Sequence, residues 1–162
     1  MNRTAFTLAF LLLLTTTMWL LTPARLEPLN SETPPILPIT APTEGLIPDT
    51  ESRVVWAEGE ARTSWSVVNL HGFSATRQET APLAETVASM LNANLYEARL
   101  TGHGRVEQPL AGVRAEDWLQ DAADALASGA AIGDKIIVIG TSTGATLAAA
   151  MLDHDLAKHI DT

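Results

Sequence analysis

A glycine-bounded turn between a strand-like run and a helix-forming run is the feature that most restricts the fold of this chain. The pentapeptide GTSTG, from Gly140 to Gly144, follows the apolar run 135–139 and precedes the alanine- and leucine-rich run 145–152. A side chain at either end of so tight a turn would collide with the flanking strand and helix, so both ends favour glycine. Ser142 is then predicted to lie at a strained apex with an exposed hydroxyl, as in a nucleophile elbow.

A second turn supplies what a nucleophilic serine requires next. A run typical of a buried strand leads straight into His71, Gly72 and Phe73. Glycine lets the backbone bend until an N–H group points at the oxygen on which negative charge develops. We therefore assign the two oxyanion donors to the backbone N–H groups of Phe73 and Thr143, and the positive end of the following helix acts on the same spot.

Hydrophobic periodicity predicts further elements around these two turns. Strands are predicted over residues 52–60, 64–70 and 95–98, and helices over 78–91 and 115–128. The first helix is predicted to turn one apolar stripe toward the core: Leu83, Val87, Met90 and Leu91. Gly129 is predicted to end the second helix, whose three aspartates are interpreted as a solvated face: Asp117, Asp121 and Asp124.

The order of these motifs resembles that of a known enzyme superfamily. The HGFS turn, the segment 94–105 with its Gly-His-Gly turn around His103, and the GTSTG turn are similar to the first half of an α/β-hydrolase. Within that superfamily the chain is most similar to the monoacylglycerol-lipase and serine-aminopeptidase-like group. The resemblance covers residues 53–162 and implies a mostly parallel sheet with flanking helices, incomplete here.

The resemblance also implies a chemistry. Members are serine hydrolases of esters, or less often of amides, and need no cofactor. It assigns Ser142 as the nucleophile of an esterase- or lipase-like enzyme that acts on a small-molecule ester or lipid-like substrate. His71 and His103 then shape the site together with the glycines of the two turns. The substrate itself is not identified by these motifs.

The acid and the base of a catalytic triad have no counterpart in this sequence. In the superfamily both follow the nucleophile on downstream loops, whereas this sequence ends at Thr162. His154 would lie about 18 Å along the helix axis from Ser142, although a general base must come within about 3 Å. One possibility is that His71 or His103 replaces the base. The motifs favour the other possibility, that both histidines brace loops.

Two functional hypotheses follow from the missing acid and base. The first is a serine hydrolase roughly twice as long, of which this chain is the N-terminal half; its apolar strand 135–139 would then be left as an open sheet edge. The second is a non-catalytic fragment that binds an acyl or ester ligand without turnover. The missing triad residues discriminate between the two, because loss of the base removes most of the rate.

The N-terminal part of the sequence predicts a membrane attachment. Residues 4–22 carry no charge and would span roughly 28 Å as a helix, which is close to the thickness of a bilayer core. We interpret residues 1–22 as an uncleaved anchor or, alternatively, a signal peptide, residues 23–50 as a proline-rich linker, and residues 51–162 as the hydrolase half-domain. The domain is then expected on the periplasmic or extracellular side, either anchored or secreted.

Composition excludes several other classes of function. The chain has no cysteine, a formal charge of −9 and a pI near 4.7. It therefore lacks thiol chemistry and the basic face that nucleic-acid binding requires. The four histidines are scattered along the sequence, so no metal site is predicted.

Overall fold

A computed structural model describes residues 45–107, 110–153 and 155–160. Within these ranges the chain forms a four-stranded sheet in the order β1-β3-β2-β4. Its strands are β1 (Arg53–Val55), β2 (Thr63–Leu70), β3 (Asn94–Glu97) and β4 (Gly133–Gly140). β1 is antiparallel to β3, whereas β2 pairs in parallel with both β3 and β4. The sheet is thus mixed and mainly parallel.

Three α-helices flank the sheet in the described residues: α1 (Leu83–Met90), α2 (Ala115–Ile132) and α3 (Thr143–Ala150). Short 3-10 helices lie at Arg77–Thr80, Met151–Asp153 and Asp155–His159. The last two bring the chain back to the outer edge of β4, where Ile160 forms a parallel bridge with Ile136.

The predicted anchor, most of the linker and His154 fall outside the described residues. Within those residues, no helix combines the length and the hydropathy that crossing a membrane requires.

The two faces of the sheet carry separate cores. β2 is a central strand, and successive side chains alternate between the faces, so that Val67 and Val68 enter different clusters. α2 and α3 cover the larger cluster, which includes Leu70, and α1 covers the smaller one around Leu95. This continuous burial is typical of a parallel strand enclosed on both sides.

The predicted first helix is wrong at its start and in the face that it buries. The predicted start of the helix is instead the 3-10 helix Arg77–Thr80. Ala81 and Pro82 follow it, and α1 begins only at Leu83. Leu83 is 52% exposed and Met90 82% exposed, whereas Ala84 and Ala88 face the sheet. Small side chains at these two positions let the helix approach the strands closely, so Leu83, Met90 and Leu91 remain exposed, whereas Val87 packs against the core as predicted.

Two other element boundaries also differ from the prediction. The first strand covers Arg53–Val55 rather than residues 52–60. Gly129 does not end its helix, because α2 continues to Ile132. A Cβ atom at Gly129 would lie 2.5 Å from the Val68 Cγ2 atom, so this glycine allows close contact between helix and sheet.

Candidate active site

The GTSTG turn is a strained connection between β4 and α3. Ser142 has φ 50° and ψ −112°, a conformation that non-glycine residues rarely adopt, and the residue is exposed. A Cβ atom at Gly144 would lie 2.0 Å from the Leu70 carbonyl oxygen, and one at Gly140 would lie 2.8 Å from the Ala145 Cα atom. Both ends of the turn therefore require glycine, and the chain has no room to relax around Ser142.

Hydrogen bonds hold the turn against the end of β2. Thr141 N–H donates to the Leu70 carbonyl oxygen at 3.1 Å, and Gly144 N–H donates to the Thr141 carbonyl oxygen at 2.8 Å. Within the described residues the Ser142 side chain caps no backbone N–H of α3. Its hydroxyl thus lies free at the carboxyl edge of the parallel strands, where open α/β sheets bind ligands.

The His-Gly turn lies beside the GTSTG turn. A Cβ atom at Gly72 would lie 3.4 Å from the Thr141 carbonyl oxygen. The Gly72 carbonyl oxygen accepts hydrogen bonds from His71 Nδ1 at 2.8 Å and from Ala75 N–H at 3.3 Å. The C=O and N–H groups of a trans peptide point in opposite directions, so these bonds aim the Phe73 N–H away from His71. Among the described residues that N–H has no hydrogen-bond partner.

His71 is buried and both of its ring nitrogens bind the backbone. Leu100 N–H donates to His71 Nε2 at 3.1 Å, so the ring proton must lie on Nδ1, which donates to the Gly72 carbonyl oxygen. Burial lowers the pKa of His71, and the nearby His103 adds to that lowering, against the bond to Gly72. The ring is therefore a neutral brace and has no nitrogen free to take a proton from Ser142.

His103 makes the same kind of contact from the Gly-His-Gly turn. Its Nε2 accepts from Ser74 N–H at 3.0 Å, and its Nδ1 lies 3.2 Å from the Thr101 carbonyl oxygen. The two histidine rings meet edge to face with centroids 4.9 Å apart. His103 thus joins the loop after β3 to the loop after β2, and His154 and the His159 side chain lie outside the described atoms.

Asp121, predicted to lie on a solvated face, is partly buried, and its carboxylate binds a neighbouring loop. It accepts from Thr101 N–H at 2.5 Å and from Thr101 Oγ1 at 3.0 Å, and it thereby caps the loop that carries His103. Burial raises the pKa of Asp121 to about 6, against the lowering effect of the bonds from Thr101. Its partner is distant in sequence, so no local pattern could have indicated it.

Two aromatic side chains, Phe73 and Trp118, pack around the oxyanion loop and the ring of His103. Phe73 is 57% exposed and meets the Trp118 ring edge to face at 6.0 Å and the His103 ring at 6.1 Å. Trp118 Nε1 donates to the Thr101 carbonyl oxygen at 2.9 Å, which fixes the indole. The described residues contain no group of three potential metal-ligating side chains. The local chemistry is thus that of an exposed hydroxyl, backbone donors and an apolar rim.

Comparison with known proteins supports a relationship to lipolytic enzymes. No protein-family model matches the chain, and no curated protein matches it. Among the solved structures that match is a chain described with LipS and LipT, two metagenome-derived lipolytic enzymes that increase the diversity of known lipase and esterase families. It is 26% identical, with a TM-score of 0.57 over 66% of this chain and 41% of that chain.

The fold and this likeness define a coarse class. The chain has a partial α/β fold with an α/β-hydrolase-like relationship to a lipolytic enzyme, and it is lipase- or esterase-like at that level. It spans 41% of the length of that neighbour, so the activity of a whole enzyme does not transfer directly.

Proposed function

We propose that this chain provides the nucleophile and the oxyanion donors of a serine hydrolase of carboxylic esters, within or close to the monoacylglycerol-lipase-like group. Ser142 is the nucleophile, and the backbone N–H groups of Phe73 and Thr143 are the oxyanion donors. The observation that carries the proposal is the strained, exposed Ser142 between two glycines that cannot be replaced without collision. Proteins keep such strain mainly where a function depends on it.

The proposed reaction begins with attack of Ser142 Oγ on the ester carbonyl carbon. The electron pair of the C=O bond moves to oxygen, and the two N–H groups and the N-terminus of α3 stabilise the resulting oxyanion. The C–O bond to the leaving alcohol then breaks, and the alcohol takes the proton that Ser142 lost. Water then attacks the acyl carbonyl carbon, the bond between the acyl carbon and Ser142 Oγ breaks, and Ser142 Oγ regains a proton as the carboxylic acid leaves.

The proton transfer in this scheme needs a general base that the described residues do not offer. His71 and His103 each use Nε2 to accept a backbone N–H, so neither can act without breaking a loop contact. The resemblance implies a base and an acid that follow the nucleophile in a longer protein. We therefore propose that this chain acts as part of such a protein.

The substrate is proposed to be an ester with a lipophilic acyl or alcohol group. Phe73 lies in the oxyanion loop, is exposed and packs edge to face on Trp118, and this apolar pair suits a hydrocarbon chain better than a charged group. The uncharged segment 4–22 would hold the domain close to a membrane, on the exported side, where such substrates partition.

Covalent labelling of the full chain tests the nucleophile. A fluorophosphonate should add once to the wild-type protein and to Ser64→Ala, a matched variant at an exposed serine far from the turn, but not to Ser142→Ala. In a longer protein that supplies the base, hydrolysis of a short-chain p-nitrophenyl ester should fall by about 10³-fold or more in Ser142→Ala. Labelling of Ser142→Ala to the same non-zero extent as the wild type would exclude Ser142 as the nucleophile, and no labelling of either protein would show that Ser142 is not activated in this chain.

A non-catalytic role is the second candidate, and the occupied histidine nitrogens favour it for the isolated chain. A binding fragment would bind a non-hydrolysable ester analogue while it turns over esters no faster than buffer. A base-less hydrolase should retain up to about 10³–10⁴-fold over water from oxyanion stabilisation and binding. Isothermal titration and hydrolysis measured on the same preparation separate the two candidates.

A further inference from the structure

We propose that Glu79 is the positioning residue that fixes the oxyanion loop. Its carboxylate accepts the Gly72 N–H at 2.8 Å from across the loop. The contact between them crosses seven positions of the sequence. No motif points to Glu79, and the proposed reaction assigns it no role.

The contact completes the restraint of one flexible residue. Gly72 has no side chain, so its φ and ψ are less limited than those of any other residue in the loop. Glu79 holds the peptide group before Gly72 by its N–H, and His71 with Ala75 holds the peptide group after it by its carbonyl oxygen. The second of these peptide groups contains the Phe73 N–H. With both planes held, the direction of that N–H is set before any substrate arrives.

The strength of the restraint follows from the charge of the acceptor. An N–H bond to a carboxylate is roughly twice as strong as a bond between neutral groups. The carboxylate also fills the space beside Gly72, because a Cβ atom there would lie 3.0 Å from Glu79 Oε2 and 3.2 Å from Oε1. Any side chain at Gly72 would therefore push Glu79 away.

The 3-10 helix that carries Glu79 is itself anchored to the sheet. Arg77, in the same helix, is buried and donates to Asp49 Oδ1 at 2.8 Å. Its other terminal nitrogen lies 3.7 Å from Oε2 of Glu97, a fully buried residue of β3 that also pairs with Arg53. A catalytic geometry depends on such supporting contacts, since a loosely held group loses most of its effect. Glu79 thus transmits the position of β3 to the loop after β2.

Nuclear magnetic resonance tests the contact without any need for turnover. In the ¹⁵N-labelled full chain, Glu79→Ala should move the Gly72 amide proton upfield and change the residual dipolar coupling of the Phe73 N–H, which reports its orientation. Glu79→Gln keeps an oxygen acceptor and should largely restore that coupling. Glu60→Ala, at an exposed acid far from the loop, is the matched control and should change neither signal. An unchanged Phe73 coupling in Glu79→Ala would overturn the proposal.

The catalytic consequence rests on the proposed function and has a separate readout. If Ser142 turns over esters, Glu79→Ala should lower kcat by about 10²-fold with little change in KM, because a misplaced oxyanion donor acts on the transition state. Glu79→Gln should recover most of kcat. A rise in KM at constant kcat would instead assign Glu79 to substrate binding and contradict positioning. If the chain alone hydrolyses nothing, as the missing base implies, the labelling of Ser142 decides the proposed function and the amide signals decide the role of Glu79.

Discussion

At the scale of the residue, Ser142 shows how strain is imposed by neighbours. Its positive φ persists because Gly144 lies directly against the Leu70 carbonyl oxygen and Gly140 lies against Ala145. A non-glycine residue held in such a conformation costs about 1–3 kcal/mol, which the surrounding structure must supply. This conformational cost arises at Ser142 alone, so a substitution of that residue that relieves the strain should change the free energy of unfolding by a similar amount.

Replacement of Ser142 by glycine should stabilise the protein while it removes the nucleophile. Glycine adopts positive φ without penalty, so the free energy of unfolding should rise by about 1–3 kcal/mol in Ser142→Gly. Ser142→Ala retains the Cβ atom and the strain, and should stay within about 0.5 kcal/mol of the wild type. Urea unfolding of the three proteins measures the difference. Equal stability of the glycine and alanine variants would show that the turn is relaxed.

The sequence predicted local features of the site better than its distant contacts. The GTSTG turn was visible because glycines, an apolar strand and an alanine-rich helix are neighbours in sequence. The contacts of Asp121 with Thr101 and of Glu79 with Gly72 depend on how separate loops pack, and a loop residue gives no periodic signal for its partner. His71 was expected to brace a loop, but its tautomer required the position of Leu100.

At the scale of the element, α2 shows that a glycine inside a helix can serve packing. The sequence placed the end of the helix at Gly129, since glycine is the commonest helix stop. The helix continues because its face against the sheet has no space for a Cβ atom next to Val68. Of the stripe predicted for α1 only Val87 packs against the core, for a related reason: Ala84 and Ala88 allow closer packing than Leu83 and Met90 would.

Gly129→Ala should destabilise the protein although alanine favours helices. The helix gains about 1 kcal/mol in propensity, but overpacking against the Val68 Cγ2 atom at 2.5 Å should cost more, for a net loss of about 1–2 kcal/mol. Val68→Ala alone leaves a cavity, whereas in the Gly129→Ala background it makes room for the new methyl group. A double-mutant cycle by urea unfolding should therefore give a favourable coupling energy. Additive effects would mean that the helix shifts instead.

At the scale of the whole molecule, the buried His71 and the partly buried Asp121 give opposite pH dependences to the stability of the fold. Burial lowers the pKa of His71 from 6.5, so its contribution to the free energy of unfolding is lost as the pH falls below 6.5. Burial raises the pKa of Asp121 from 3.8 to about 6, so its contribution is present below 3.8 and is lost as the pH rises through about 6. The two effects partly offset each other in the wild type.

Asp121→Asn should separate these effects. Asparagine keeps an oxygen for Thr101 and does not ionise, so the loss of stability between pH values of about 4 and 6 should disappear. Relative to the wild type, the variant should therefore gain free energy of unfolding as the pH rises across this window. Glu60→Gln, at an exposed position, is the control for a change of one charge. A difference between Asp121→Asn and wild type that stays constant with pH would contradict the shifted pKa.

The resemblance implied a mostly parallel sheet with flanking helices, and the four described strands form a mixed, mainly parallel sheet. Periodicity does not specify how far each element extends, because tertiary contacts decide this. Of the predicted strand 52–60, only Arg53–Val55 pair with β3, and β1 is limited to these three residues. The relationship to a lipolytic enzyme rests on structural likeness over 66% of this chain.

Leu70 links the two halves of the site through a single peptide carbonyl. That oxygen accepts the Thr141 N–H and touches Gly144, while the next residue along the chain is His71. The nucleophile and the oxyanion loop are therefore mechanically coupled, and a shift at the end of β2 would carry both as one body. The Leu70 side chain is fully buried in the core that α2 and α3 cover. Reshaping the core behind it offers directed mutagenesis a way to adjust reactivity from a distance.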